Sequence, residues 1–373
     1  MSPAPALSPA ARVLRLLLLA LVATALLSGV IGGLLRAGLA LPMFEGLRWT
    51  APAVVSHAAL MIGGFLGTVI GIERAVAVRL RPAFAAPLAS AAGTLALLAG
   101  QDGAGHALLL LASVVFTGVN VVIVRRQRAA HTVLLLVAAL AWGVGNGLAA
   151  LGERSDAVLA WWFGFLVLTI AAERLEMTRL TPRKPGSVAA FHAVVAALLL
   201  GAAAGSPWPR AGGLLFGTAL ALLALWLMRF DIARHTVRAS GLSRYMAVCL
   251  LGGYAWLLVA GIAWMALAQG LPVRDVALHA LGLGFVLSMV MGHAPVILPA
   301  VARVRLRFGW PFYLPLALLH GTLLVRLAGG LAGDGWRAAG AAGNALAMVA
   351  FAATVLGAMA AARRQPAPGP APD

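Results

Sequence analysis

The sequence has few of the groups that a water-soluble protein needs on its surface. Only 10% of its 373 residues are charged, whereas a soluble domain carries about 25%. A single cysteine, Cys249, excludes a disulfide framework and any metal site built from several thiolates. With so little polar surface, the composition excludes a soluble enzyme, a nucleic-acid-binding protein and a disordered chain.

Hydrophobic residues make up 62% of the chain and lie in long runs. A helix needs about 20 mostly apolar residues to cross a bilayer. The runs predict a single polytopic domain over residues 1–362, an all-α integral membrane protein, followed by a disordered tail at 363–373. Its 12 transmembrane helices, spans 1–12, are predicted at 13–35, 52–72, 83–100, 105–124, 131–151, 156–172, 187–204, 211–228, 245–268, 275–299, 312–332 and 338–361.

The net charge of +17 is a topology signal, because the basic residues lie in short clusters between the apolar runs. On this span count, 21 of the 28 basic residues fall on one side of the membrane and six on the other. The positive-inside rule then places both termini in the cytoplasm. The 27 arginines and one lysine, with abundant alanine and glycine, indicate a GC-rich bacterial genome, so we expect a bacterial inner-membrane protein surrounded by lipid.

Spans 2 and 6 end in similar sequences at an offset of 100 residues. Residues 64–82 and 164–182 are identical at nine of nineteen positions, and span 10 offers a weaker third copy beginning at Gly284. The pattern predicts three pseudo-repeated four-helix units, at about 13–124, 131–228 and 245–361. The alternative is chance similarity among helices rich in alanine and leucine.

Two histidines occupy similar depths near the outer ends of spans 2 and 10. His57 and His279 each lie about one turn inside the span, and an ionisable group in a span indicates a functional site. Two neutral imidazoles at one level would ligate a haem iron from both sides. Nearby glycines would let a flat macrocycle or a neighbouring helix approach closely: Gly63, Gly64, Gly282 and Gly284.

Three further polar residues lie within spans 10 and 11. His293 follows His279 by 14 residues, so a regular α-helix would place the two on one face about 21 Å apart. His293 and His320 are candidates for a second metal. Arg326 is predicted to lie level with His57 and His279, where it would either pair with haem propionates or extend to the outer surface.

Glu73 and Glu173 lie near the cytoplasmic ends of spans 2 and 6, and an arginine follows each directly. One interpretation is an ion pair that ends the helix. The other is a polar or proton-entry site in which the two glutamates and His293 surround the pseudo-symmetry axis.

The arrangement resembles subunit I of the haem–copper oxidases, a twelve-helix architecture in which histidines of helices 2 and 10 hold the low-spin haem. Two stretches resemble the NnrS family of haem- and copper-binding membrane proteins of nitric oxide and nitrite metabolism more closely. They are HAALMIGGFLGTVIG from His57 and HALGLGFVLSMVMGH from His279 to His293. The resemblance implies haem, with copper as a second metal and an electron-transfer partner.

The sequence also departs from the oxidases. Leu281 stands where an oxidase has the second histidine of span 10, and span 6 lacks the histidine and tyrosine of the copper site. Oxygen reduction is therefore not expected, and whether the protein is an enzyme is left open. A secondary transporter with internal repeats and a cofactor-free membrane assembly partner are the two alternative functions.

Overall fold

A computed structural model describes residues 9–177, 185–302 and 304–364, and these residues form helices without a strand. Eleven of the helices are long and apolar enough to cross a membrane. We number the helices as the predicted spans: α1 Pro9–Arg36, α2 His57–Val78, α3 Ala85–Leu98, α4 Asp102–Arg126, α5 Ala130–Ala150, α6 Asp156–Met177, α7 Ser187–Ala204, α8 Pro209–Phe230, α9 Gly241–Ala268, α10 Arg274–Ala300, α11 Trp310–Gly329 and α12 Asp334–Arg364. This is the architecture of a multi-pass membrane protein, since helices satisfy every backbone polar group internally.

Helix α3 is the one predicted span that is not among these eleven. It has 14 residues, or about 21 Å at 1.5 Å per residue, which is shorter than a hydrocarbon core of about 30 Å. A short 3₁₀ turn at Arg81–Phe84 leads directly into it. The chain leaves α3 through Gly100, whose positive φ of 77° favours glycine.

Charges at the ends of several helices follow the helix dipole. Helix α4 has Asp102 in its first turn and two arginines in its last, and α12 has Asp334 and two arginines in the same positions. An acidic group at the N-terminus and basic groups at the C-terminus stabilise a helix by about 0.3–1 kcal/mol each. Arg363 and Arg364 therefore end α12 and do not begin the tail; residues 365–373 lie outside the described part.

Three helices contain π-helical segments, at Leu60–Gly67 in α2, Ala280–Leu287 in α10 and Val325–Gly329 in α11. The first two are each eight residues long and begin 220 residues apart. Such segments are rare and frequently lie at functional sites. Here they follow His57 by three residues and His279 by one, and the third contains Arg326.

The chain divides into two compact units, Met1–Arg154 and Ser155–Asp373. The boundary falls inside the second predicted repeat, 131–228. In the first unit, Trp142 is 1% exposed and packs edge-on against Phe116. In the second unit, 83% of an 18-residue apolar stretch of α6 is buried, against 17% of the corresponding stretch of α12. Helix α6 is thus central, and α12 exposes an apolar face compatible with lipid.

Candidate functional site

A buried ion pair joins α10 to α11 in the second unit. The Arg326 guanidinium donates from Nε to Asp275 Oδ2 at 3.0 Å and from Nη2 to Oδ1 at 2.8 Å. The same Nη2 lies 3.0 Å from His279 Nε2. Two parallel bonds to one carboxylate are the strongest arrangement available to an arginine. The prediction that Arg326 lies level with His279 is therefore confirmed.

The side chain of Arg326 is 9% exposed, so it does not extend to the surface as one interpretation of the sequence held. Its backbone lies against Gly340 of α12, where a Cβ atom would overlap the Arg326 main chain. A glycine at this position is what allows the close approach. The fold thus fixes the guanidinium on Asp275, a residue that the sequence analysis did not select.

The tautomer of His279 follows from its neighbours. Its Nδ1 lies 2.9 Å from Asp275 Oδ1 and 3.1 Å from the Asp275 carbonyl oxygen, and both oxygens are acceptors. Nδ1 therefore donates, and the lone pair is on Nε2, which accepts from Arg326. A carboxylate behind Nδ1 is the arrangement that orients a metal-ligating histidine through its other nitrogen.

His57 is held in a similar way within the first unit. Its Nδ1 donates to the carbonyl oxygen of Gly29 in α1 at 2.7 Å. The ring lies so close to Gly33 that a Cβ added there would come within 2.6 Å of His57 Cε1. Because Nδ1 carries the proton, the lone pair of His57 is also on Nε2.

Three of the four glycines near these histidines face protein side chains closely. A Cβ at Gly63 would meet Leu109 at 3.1 Å, and Cβ atoms at Gly64 and Gly284 would overlap Thr94 and Trp256. At Gly282, an added Cβ would make only an ordinary van der Waals contact with Phe163, at 3.7 Å. Of the two predicted roles for these glycines, the structure therefore favours close helix packing over a cradle for a macrocycle.

His320 has the opposite tautomer. Trp256 Nε1 donates to His320 Nδ1 at 2.7 Å, and the two rings are parallel within 2°. Nδ1 is thus the acceptor and Nε2 carries the proton, which points towards Ser288 Oγ at 3.5 Å. In this arrangement neither nitrogen of His320 offers a lone pair to a metal.

His293 contacts a charged residue of α6. Its Nδ1 donates to the Met289 carbonyl oxygen at 2.7 Å, and its Nε2 accepts from Arg174 Nη2 at 3.1 Å. The π-helical segment Ala280–Leu287 separates it from His279, so the regular 100° step that placed both on one face does not apply. The two histidines accordingly bind different partners on different helices.

The glutamates of the predicted polar site are partly buried. Glu73 lies 3.9 Å from Arg74, which agrees with an ion pair near the end of α2. Glu173 is half-buried in α6, beside the Arg174 that reaches His293. Within the second unit, His293 therefore contacts Arg174, the residue that follows Glu173. Glu73 belongs to the first unit.

Residues that the sequence analysis missed complete these contacts. Asp275 stands four residues before His279, a spacing that places both on one helix face, and this signal was available. Trp256 carries no comparable signal, because it reaches His320 from another helix. Among the described residues, no group of three or more histidine, cysteine, aspartate or glutamate side chains is arranged to hold a metal ion.

No curated protein matches the chain, and no solved structure matches it. One protein family does, over residues 15–360, which is nearly the whole length of the helical part. The chain therefore belongs to the family described as Domain of unknown function (DUF8744).

Proposed function

We propose that the protein is a haem-binding membrane protein, similar to the NnrS family, that acts in nitric oxide, nitrosative-stress or respiratory metabolism. His57 and His279 would hold the haem iron through Nε2. The observation that carries the proposal is the fixed tautomer of both rings: each Nδ1 donates to an anchored oxygen, so the lone pair is on Nε2. For His279, the iron would replace Arg326 as the partner of that lone pair. The π-helical segment directly after each histidine adds support.

The residues around His279 fit a haem in one further respect. Arg326 lies at the Nε2 side of the ring, and guanidinium groups pair well with carboxylates such as haem propionates. Haem binding would require Arg326 to exchange its bond to His279 for one to a propionate. A haem held by His57 and His279 would supply one-electron transfer, because both histidines would be needed to hold it and no site would remain for a diatomic substrate. We therefore favour electron transfer or sensing over catalysis, with an electron-transfer partner.

The proposal includes the membrane topology predicted from the sequence. Residues 81–98 form a continuous helical stretch of 18 residues, which is within the range of lengths that span a bilayer. With α3 as the third crossing, twelve helices place both termini in the cytoplasm of a bacterial inner membrane. The matching π-helical segments of α2 and α10 support the equivalence of spans 2 and 10 in the predicted repeats.

The first experiment is an absorption spectrum of the detergent-purified protein, oxidised and dithionite-reduced, with iron and copper measured on the same sample. We expect a sharp Soret band, split visible bands after reduction, and stoichiometric iron. Stoichiometric copper would support the predicted second metal, and its absence would count against that prediction. A colourless, iron-free protein from haem-replete cells would overturn the proposal.

Histidine variants test the ligand assignment. His57→Ala and His279→Ala should each abolish the low-spin spectrum. His192→Ala is the matched control, because His192 is exposed and makes the same local bond as His279, from Nδ1 to the carbonyl oxygen four residues earlier. A spectrum that survives both ligand variants would refute the assignment even if haem is bound.

A secondary transporter is the second candidate, favoured by the interruptions of helices α2 and α10. Both contain π-helical segments, and α10 also carries Pro295 and Pro299. Transporters build substrate sites from such discontinuous helices. Proton-coupled uptake into liposomes by a colourless protein would favour this function. A colourless protein without transport activity would favour the cofactor-free assembly partner.

A further inference from the structure

A carboxylate lies buried at the turn that follows α8. Asp231 is 1% exposed. Its Oδ1 accepts a hydrogen bond from the Ala233 backbone N–H at 2.7 Å, which begins the short helix Ala233–Thr236. Its Oδ2 is also buried and has no direct hydrogen-bond partner among the described residues. Oδ1 thus stabilises the start of the short helix, whereas Oδ2 makes no direct hydrogen bond and can accept a proton.

Three polar groups from three helices face this carboxylate. They are the Tyr254 hydroxyl of α9, the Arg174 guanidinium of α6 and the His293 imidazole of α10. Tyr254 is fully buried, and its hydroxyl likewise forms no direct hydrogen bond with a described residue. The two buried oxygens interact without a well-formed hydrogen bond, an arrangement that costs up to about 1–3 kcal/mol per group.

Arg174 does not offset the burial of Asp231 completely. Its Nη2 donates to His293 Nε2 at 3.1 Å, so part of its hydrogen-bonding capacity is already used. Burial raises the pKa of Asp231, while the positive charge of Arg174, the bond from Ala233, the Tyr254 hydroxyl and His293 oppose the rise with smaller effects. Desolvation of the charged form is therefore the largest electrostatic effect on this group.

We propose that Asp231 is a proton-binding site. In the ionised state, the Tyr254 hydroxyl donates towards Asp231 Oδ2. A proton from water then forms the Oδ2–H bond, and the new carboxylic acid donates to the Tyr254 oxygen. The reaction consumes one proton, forms one O–H bond and breaks no covalent bond of the protein. The charge of Arg174 and Asp231 together rises from zero to +1 next to His293 on α10.

This site is independent of the haem proposal, because none of its four residues is a proposed haem ligand and the proton binds to Asp231, not to His293. Protonation changes the charge beside His293, which lies near the C-terminal end of α10, 14 residues after His279. Proton uptake at Asp231 would thus act on the helix that carries the proposed ligand.

Infrared spectroscopy of the purified full-length protein tests the proposal. A protonated carboxylic acid has a carbonyl-stretch band that a carboxylate lacks. We expect the wild type to show one band of this kind that persists to higher pH than those of the exposed carboxylic acids, and we expect that band to be absent from Asp231→Asn. Asp334→Asn is the control, because the side chain of Asp334 is 85% exposed and the variant should keep the band.

Tyr254→Phe provides a second test, because a purely structural role of Asp231 would not predict a change in the midpoint pH of the band. Loss of the donor to Oδ2 should disfavour the ionised state and move the midpoint of the band to higher pH. If Asp231→Asn does not fold, aspartate labelled at its carboxyl carbon replaces it: the label should shift the band of the wild type but not that of Asp231→Glu. A wild type without the band, or a band that remains in Asp231→Asn, would overturn the proposal.

Discussion

Replacement of Asp275 by asparagine should be far more costly than replacement of its partner Arg326. Asp275→Asn leaves an arginine whose side chain is 9% exposed without its counter-charge, whereas Arg326→Gln leaves a carboxylate that is 32% exposed. Removing one partner of a buried pair costs about 3–5 kcal/mol, because the other charge stays buried and uncompensated. The asparagine NH₂ group would also face guanidinium donors.

The solvent-accessible carboxylate left by Arg326→Gln can be hydrated, so we expect a smaller loss of roughly 1–3 kcal/mol. The double variant Asp275→Asn/Arg326→Gln should lose less than Asp275→Asn alone, since no charge is then stranded. Free energies of unfolding in mixed detergent micelles measure all three, and the double-mutant cycle isolates the coupling.

An exposed ion pair provides the control. Asp334 and Arg337 are separated by 2.9 Å with side chains 85% and 35% exposed, and Asp334→Asn should cost no more than about 1 kcal/mol, the sum of a weak surface ion pair and the helix-dipole effect. If Asp275→Asn costs no more than Asp334→Asn or Arg326→Gln, the reasoning from burial is refuted.

Two further predictions concern Gly33 in the first unit and Asp231 in the second. Gly33→Ala should displace the His57 ring, since its Cβ would lie 2.6 Å from Cε1; overpacking costs about 1–3 kcal/mol, and haem content should fall. Gly118→Ala has no atom within 4 Å of its Cβ and should gain about 0.5–1 kcal/mol in thermal unfolding. Equal effects would contradict the packing argument. For Asp231, burial raises the pKa of the folded state, so the stability due to its proton is present below the unfolded pKa and is lost as pH rises through the folded pKa. Thermal unfolding across this pH range should show that loss in the wild type and not in Asp231→Asn; identical pH profiles would count against it.

The helices were predictable because the signal for each is local. Apolar runs bounded by charged residues predict where a helix lies, and each of the eleven long helices overlaps a predicted span. The level of Arg326 relative to His279 was also predictable, since it required only a count of residues along α11 and an assumed span boundary.

The contacts within the site were mostly not predictable from the sequence. The tautomer of His320 depends on Trp256, a residue 64 positions away that arrives from a different helix. The π-helical segment of α10 leaves no mark on its apolar run, yet it changes which face His293 presents. Only Asp275 could have been found, from its spacing to His279.

The π-helical segments also affect how these helices tolerate changes in length. A segment of this kind accommodates one residue more than a regular α-helix does over the same distance. Deleting one residue within Ala280–Leu287 would therefore let α10 become a continuous α-helix whose two ends keep their relative orientation. Asp275 and His279 would stay beside Arg326 while His293 stayed beside Arg174. Deleting one residue from the regular α-helix after this segment would instead turn one end of α10 by about 100° relative to the other and separate it from its partners.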